Sequence, residues 1–199
     1  MEHEGPIFTV TDLKQFTYCP RVVFYTYCLP LIRPLTYKME ESMLAHQEEA
    51  EREERRSLRP YGLSQGERRF DVPLASARLG LRGVVDMIID TGAEYIPVDY
   101  KSTFRKQPGA HFRLQLAAYG LMIEEGLEPD SGISVRRGFL YSLLTQSAQE
   151  VPFTGRLRAQ VRQTVEALRE MVEHERMPPA PQGRGKCMAC EFRRFCNDC

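Results

Sequence analysis

Two β-rich runs joined by a tight turn constrain this chain most. Gly83-Val84-Val85-Asp86-Met87-Ile88-Ile89 is almost wholly apolar, and after Asp90-Thr91-Gly92-Ala93 the run Tyr95-Ile96-Pro97-Val98-Asp99-Tyr100-Lys101 is again rich in β-branched and aromatic residues. Such runs favour strands, and the Asp/Gly turn between them predicts a hairpin. Further strands are expected at 68–74, 77–81 and 133–144, the first two continuing an antiparallel meander. Pro97 points to an edge strand or a bulge, because proline donates nothing to a ladder.

Helices fill the remainder. Thr11 to Phe16 reads as a short helix with a threonine N-cap, interrupted at Cys19-Pro20. Residues 36–57 carry mixed-sign charges four apart, such as Glu48/Arg52, and predict a long solvated helix bearing His46. Residues 110–125 place Phe112, Leu116 and Ile123 on one face and end at Gly126, and 155–175 form another helix. A proline-rich connector, 177–183, leads to the C-terminus. With 199 residues, 42% of them hydrophobic, the pattern is one α/β domain, a mixed central sheet flanked by helices.

Lys+Arg and Asp+Glu are 27 each, so net charge does not advertise a nucleic-acid binder and any such surface must be local. Residues 131–199 hold eleven basic against seven acidic side chains; Arg136-Arg137, Arg156/Arg158 and Arg193-Arg194 are candidate phosphate contacts. No apolar run approaches the roughly 20 residues of a membrane span. The first residues lack a signal-peptide pattern, and a cytoplasmic protein is expected.

Asp99 and Lys101 are two apart on one strand, hence on one face, and a neighbouring strand brings Asp86 to the same point. Two converging carboxylates repel unless a cation lies between them, and hard oxygen donors favour Mg²⁺ or Mn²⁺. A lysine beside them orients or deprotonates water and stabilises a phosphorane-like transition state, so phosphodiester hydrolysis suits the set. The bland alternative is a turn-capping Asp86 and an exposed Asp99/Lys101 ion pair. Gln115 and Tyr119, one turn apart on the following helix, add hydrogen-bonding groups and a stacking surface for nucleic acid. His46 is either a solvated helix histidine or, if its helix packs over the strands, a further metal ligand.

Six cysteines in a chain expected inside the cell point to metal or cluster ligation before disulfides. Cys187, Cys190, Cys196 and Cys199 crowd the last 13 residues, while Cys19 and Cys28 lie near the other end. A local Cys₄ zinc site in the tail is one reading, although five residues between its two C-x-x-C pairs is short of the about 15–20 of zinc ribbons. A site joining both termini through Cys19 is the other. Cys28 reads as a buried apolar residue.

In order, His46, Asp86, Asp99-Tyr100-Lys101, Gln115-x-x-x-Tyr119 and the cysteines resemble the RecB-like branch of the PD-(D/E)XK nucleases, and specifically the CRISPR-associated family 4 exonucleases. The resemblance spans nearly the whole chain. It implies a restriction-endonuclease-type core acting on single-stranded DNA ends or overhangs, with His46, Asp86, Asp99 and the Tyr100 backbone carbonyl as metal ligands and Lys101 as catalytic lysine. Gln115 and Tyr119 would line the active site and DNA path. Cys19, Cys187, Cys190 and Cys196 would hold a [4Fe-4S] cluster, which needs four thiolates, and segments of about 1–35 and 177–199 would form a cluster-binding cap. The resemblance further implies trimming of the motif-bearing end of prespacers beside the CRISPR integrase, which occurs in the family both as a separate chain and fused. A catalytically idle DNA-binding scaffold and a zinc-tailed interaction module are the competing classes.

Overall fold

The computed structural model describes residues 7–29, 57–102, 108–126, 135–180 and 183–196. His46, the helix expected at 36–57 and Cys199 lie outside the described residues.

The chain opens with β1 (Phe8–Thr9), α1 (Val10–Tyr18) and α2 (Pro20–Tyr27). Thr9, not Thr11, caps α1: its Oγ1 accepts from Asp12 N at 3.0 Å while Asp12 Oδ2 accepts from Thr9 N at 2.8 Å. This capping box satisfies two orphan donors at once. Cys19 is the C-cap of α1 and the N-cap of α2, and Pro20 starts α2 where a missing N–H costs nothing. The expected helix junction at Cys19 is therefore present.

β2 (Glu67–Ser76) and β3 (Leu81–Asp90) form a long antiparallel hairpin. A separate strand at 77–81 does not form, because residues 77–80 are the turn, with Gly80 at φ +67°. β4 (Tyr95–Lys101) returns antiparallel to β3 through the Asp90–Glu94 turn, where Asp90 Oδ1 accepts from Gly92 N at 2.8 Å. α3 (Ala110–Gly126) then crosses to β5 (Arg137–Ser142), parallel to β4, and β6 (Ser147–Pro152) closes the sheet antiparallel to β5. α4 (Gly155–Glu173) follows, then a 3-10 turn over Arg184–Ala189 and the short α5 (Arg193–Cys196).

The sheet order is β1-β3-β4-β5-β6, with β2 on the far edge of β3. β4 is thus central, and the edge-strand expectation from Pro97 is overturned. Pro97 pairs with Ile88 on β3, and the ladder to β5 begins one residue later, at Val98.

Because β2 runs along one edge of β3, its other edge is shared: β1 pairs with Leu81 and Arg82, and β4 with Met87 to Asp90. Between those contacts β3 and β4 fork. Asp71 lies directly opposite Asp86, yet the ladder skips that pair, and Asp71 has φ +48°. Both strands change faces there. Val72, Leu74 and Val85 pack with the helices, whereas Phe70, Met87 and Ile89 pack into the opposite layer with Tyr61, Ile96, Val98 and Tyr100. A regular period-2 strand cannot do this, so the left-handed Asp71 carries the switch. α3 is buried from Leu114 to Ile123 because the sheet lies on one side and α1 and α4 on others. A helix enclosed in this way is apolar all round.

Candidate active site

The site occupies the fork. Asp86 sits where the β2–β3 ladder breaks, and its Oδ2 accepts from Tyr100 N at 2.6 Å, bridging the diverging strands. On β4 the pleat sends Val98 and Tyr100 into the lower layer and Asp99 and Lys101 towards α3. Lys101 Nζ pairs with the Asp99 carboxylate and donates to Gln115 Oε1 at 3.1 Å. The Phe112 ring lies 4.8 Å from the same nitrogen. The ammonium is held from three sides.

Asp99 is 3% exposed, and its Oδ2 meets the Lys101 ammonium. Burial pushes its carboxyl above the ordinary range, the Lys101 charge pulls it down, and the Asp86 charge raises it again. A buried carboxylate under the charge of a second carboxylate is the donor chemistry a hard divalent cation takes. The acid pair therefore fits such an ion, although among the described residues no three His, Cys, Asp or Glu side chains close into a metal-holding group.

Gln115 and Tyr119 lie on one face of α3 as their spacing requires, and both are 4% exposed. Tyr119 Oη donates to the Val84 carbonyl at 2.8 Å, on the stretch of β3 that pairs with β2 but not with β4. Glycine at 83 leaves room for this, since a Cβ there would stand 3.2 Å from the Tyr119 ring. Burial, then the Asp99 charge, pushes the Tyr119 phenol up, so it remains a donor at neutral pH. The sequence reading missed Phe112, which it placed on the helix face as core. Its spacing of three residues before Gln115 is the signal that was there to use.

The cysteine-bearing ends meet on α2. Cys19, Val22, Tyr25 and Phe192 form a small cluster against which Cys190 and Cys196 pack. Tyr25 stacks on Phe192 at 5.4 Å, Arg21 donates to Cys196 Sγ at 3.3 Å and to Pro178 O at 2.8 Å, and Lys186 Nζ donates to Tyr18 O at 2.8 Å. Cys187 is buried one short turn away, its carbonyl accepting from Cys190 N. Burial first, with Glu191, Cys19 and Cys196 adding, pushes the Cys190 thiol up. Thiols from both ends with a guanidinium at one sulfur are the donor chemistry of a thiolate-bound group, although among the described residues no three of them close into a metal-holding set. Cys28 stands apart, packed against the main core.

Several arginines expected to contact phosphate are already engaged. Arg137 pairs with Glu94 at 2.7 Å and Glu150 at 2.9 Å, and Arg158 with Glu124 at 2.6 Å. No helix of the described residues is long and apolar enough to cross a bilayer.

Comparison with known proteins places the chain among nucleases. A model of the PD-(D/E)XK nuclease superfamily matches residues 35–197. The CRISPR-associated exonuclease Cas4 of Francisella tularensis subsp. novicida is 28% identical over 191 residues, covering 95% of this chain and 93% of that protein. The protein of the same description from Aeropyrum pernix is 33% identical over 193 residues, covering 94% and 93%. A CRISPR-associated exonuclease Cas4/endonuclease Cas1 fusion from Geobacter sulfurreducens is 25% identical over 202 residues, covering 96% of this chain and 34% of the fusion. The crystal structure of SSO0001 superposes with a TM-score of 0.54 at 16% identity, covering 100% of this chain and 88% of that one, a likeness of fold.

Proposed function

The chain belongs to the Cas4 family of PD-(D/E)XK nucleases, and from that premise we propose that it hydrolyses DNA phosphodiester bonds at the Asp86–Asp99–Lys101 fork, using Mg²⁺ or Mn²⁺. The observation that carries the reading is the buried Asp99 carboxylate, under the charge of Asp86 and paired with a lysine that Gln115 fixes in place. Asp86 and Asp99 hold the cation, with the Tyr100 carbonyl and His46 completing the set. The bound ion supplies neutralisation of phosphate charge and acidifies the attacking water. Lys101 orients that water and offsets charge on the transferring phosphoryl group, while Gln115 fixes the ammonium and Tyr119 fixes the strand beneath it.

In the same domain, Cys19, Cys187, Cys190 and Cys196 hold a [4Fe-4S] cluster that pins segments 1–35 and 177–199 together as a cap. The contacts Tyr25–Phe192 and Arg21–Cys196 support this reading. Pinning residues so distant in sequence removes loop entropy from the unfolded chain, so the cluster acts structurally.

In the cell, a cytoplasmic setting, the enzyme trims single-stranded ends or overhangs of prespacers before integration, beside a CRISPR integrase; the Geobacter relative joins exonuclease Cas4 to endonuclease Cas1 in one polypeptide. Reading a short motif takes few base contacts, each worth about 1–3 kcal/mol, while non-specific phosphate attraction dominates binding by the free nuclease. Trimming is therefore feeble and unselective alone and motif-dependent in complex. The test incubates overhang DNA, with and without candidate motifs, with the nuclease alone and with integrase added. Equal yields from every overhang in the complex overturn the motif-selecting role.

A further inference from the structure

On the same face of the sheet as Asp99, two strands away, lies an open pocket of about 650 Å³. The register places it: Asp99 is aligned with Leu140, and Leu140 with Gln149, which lines the pocket. Aligned residues on neighbouring strands share a face, and two interstrand spacings make roughly 10 Å. The opposite wall comes from Arg113, two residues before Gln115 on α3, and from Thr154, Arg156 and Gln160 at the start of α4.

The two arginines of the pocket wall differ from those that the fold itself engages. Arg69, Arg78, Arg137, Arg158 and Arg169 are each tied to a carboxylate. Among the described residues Arg113 and Arg156, both exposed, have no such partner. The one acid on the pocket wall, Glu150, is already paired with Arg137. Two unpaired guanidinium groups beside a pocket favour a phosphate on each, since their fork of donors matches its oxygens. The volume lies within the range that takes a small organic group such as one nucleotide.

We propose that this pocket is a binding subsite for the single strand being cut, with Arg113 and Arg156 on backbone phosphates and Gln149 and Gln160 on the nucleotide between them. The proposal rests on the reading that the chain cuts DNA at the fork, and it adds where the strand runs beyond it. The spacing of roughly 10 Å separates the subsite from the reacting phosphate, so it contributes affinity and leaves the chemical step unchanged.

The test is the double variant Arg113→Ala/Arg156→Ala in the full chain, with an end-labelled single-stranded oligonucleotide. Binding is followed by anisotropy across salt concentrations without divalent ion, and cutting by steady-state kinetics in Mn²⁺. The variant is expected to raise KM and Kd about tenfold with kcat unchanged and to lower the slope of log affinity against log salt by about 1.4, some 0.7 for each phosphate that is no longer neutralised. Arg113→Lys/Arg156→Lys restores most of the slope. Arg162→Ala, exposed on the same helix outside the pocket, keeps the parent values. Parent-like KM and salt slope in a folded double-alanine variant overturn the subsite, and so does an equal loss in Arg162→Ala. A parent chain that binds the oligonucleotide but cuts no DNA overturns the functional reading instead, and leaves the slope comparison to judge the subsite separately.

Discussion

Replacing Gln115 with leucine keeps the volume of a residue that is 4% exposed and removes the oxygen to which Lys101 Nζ donates at 3.1 Å. The lysine side chain is 13% exposed, so little water is at hand to take the amide's place. A hydrogen bond to a charged group is worth about 1.5–3 kcal/mol. Asp99 and Phe112 still hold the ammonium, so the chain folds, but the charge is no longer fixed where it is needed. With tenfold in rate for each 1.36 kcal/mol, the loss in kcat is roughly 10- to 150-fold. The Gln115 oxygen is taken up by the lysine, so affinity stays at the parent value. Single-turnover cutting of end-labelled single-stranded DNA in Mn²⁺ reads the first quantity, and anisotropy the second. Tyr119→Phe is the comparator: loss of its bond to the Val84 carbonyl costs about 1–3 kcal/mol of stability, or about 2–4 °C of Tm per kcal/mol, with a smaller effect on rate. Parent-like kcat in Gln115→Leu, or lost affinity with kcat intact, refutes the assignment of Gln115 as the group that positions the lysine.

Phe112→Leu removes a cation–π interaction worth about 0.5–2 kcal/mol and lowers kcat about 2- to 30-fold, whereas Phe112→Tyr keeps the ring and the rate; the same single-turnover assay decides. Cys19→Ser, Cys187→Ser, Cys190→Ser and Cys196→Ser each lower iron content and Tm, and Cys28→Ser lowers iron in no sample; elemental analysis that finds zinc in the parent and unchanged metal in Cys19→Ser favours a zinc site local to the tail. Asp71→Val, forced to the left-handed φ of +48°, loses roughly 1–2 kcal/mol relative to Asp71→Gly in thermal melts; equal melts refute the strain.

Much of the site was legible because strand geometry is local. The alternation Val98-Asp99-Tyr100-Lys101 dictates that acid and lysine share a face, and the Asp90–Glu94 turn dictates that β3 returns beside β4. What the pattern could not supply was the crossing of β3 from one layer to the other at Asp86, because it depends on an aspartate on the partner strand taking a left-handed conformation. β6 went unassigned for a related reason: Ser147-Ala148-Gln149-Glu150 is an edge strand with one exposed face, and it lacks the apolar alternation that marks a strand. Arg137 and Arg158 looked free in sequence, but their carboxylate partners Glu94 and Glu124 lie 43 and 34 residues away. Pro97 misled because the rule about proline in strands concerns the position of one missing donor, which only the start of the β5 ladder fixes.

The central claim, that the fork is a divalent-metal nuclease site, is tested most directly by comparing the parent and Lys101→Ala on one end-labelled single-stranded oligonucleotide, in Mn²⁺ and in chelator. The parent should cut only with the metal. Lys101→Ala should bind the oligonucleotide with the parent's Kd and cut it at least about a hundredfold more slowly. Cutting by Lys101→Ala at the parent's rate, or undiminished cutting by the parent in chelator, contradicts the account.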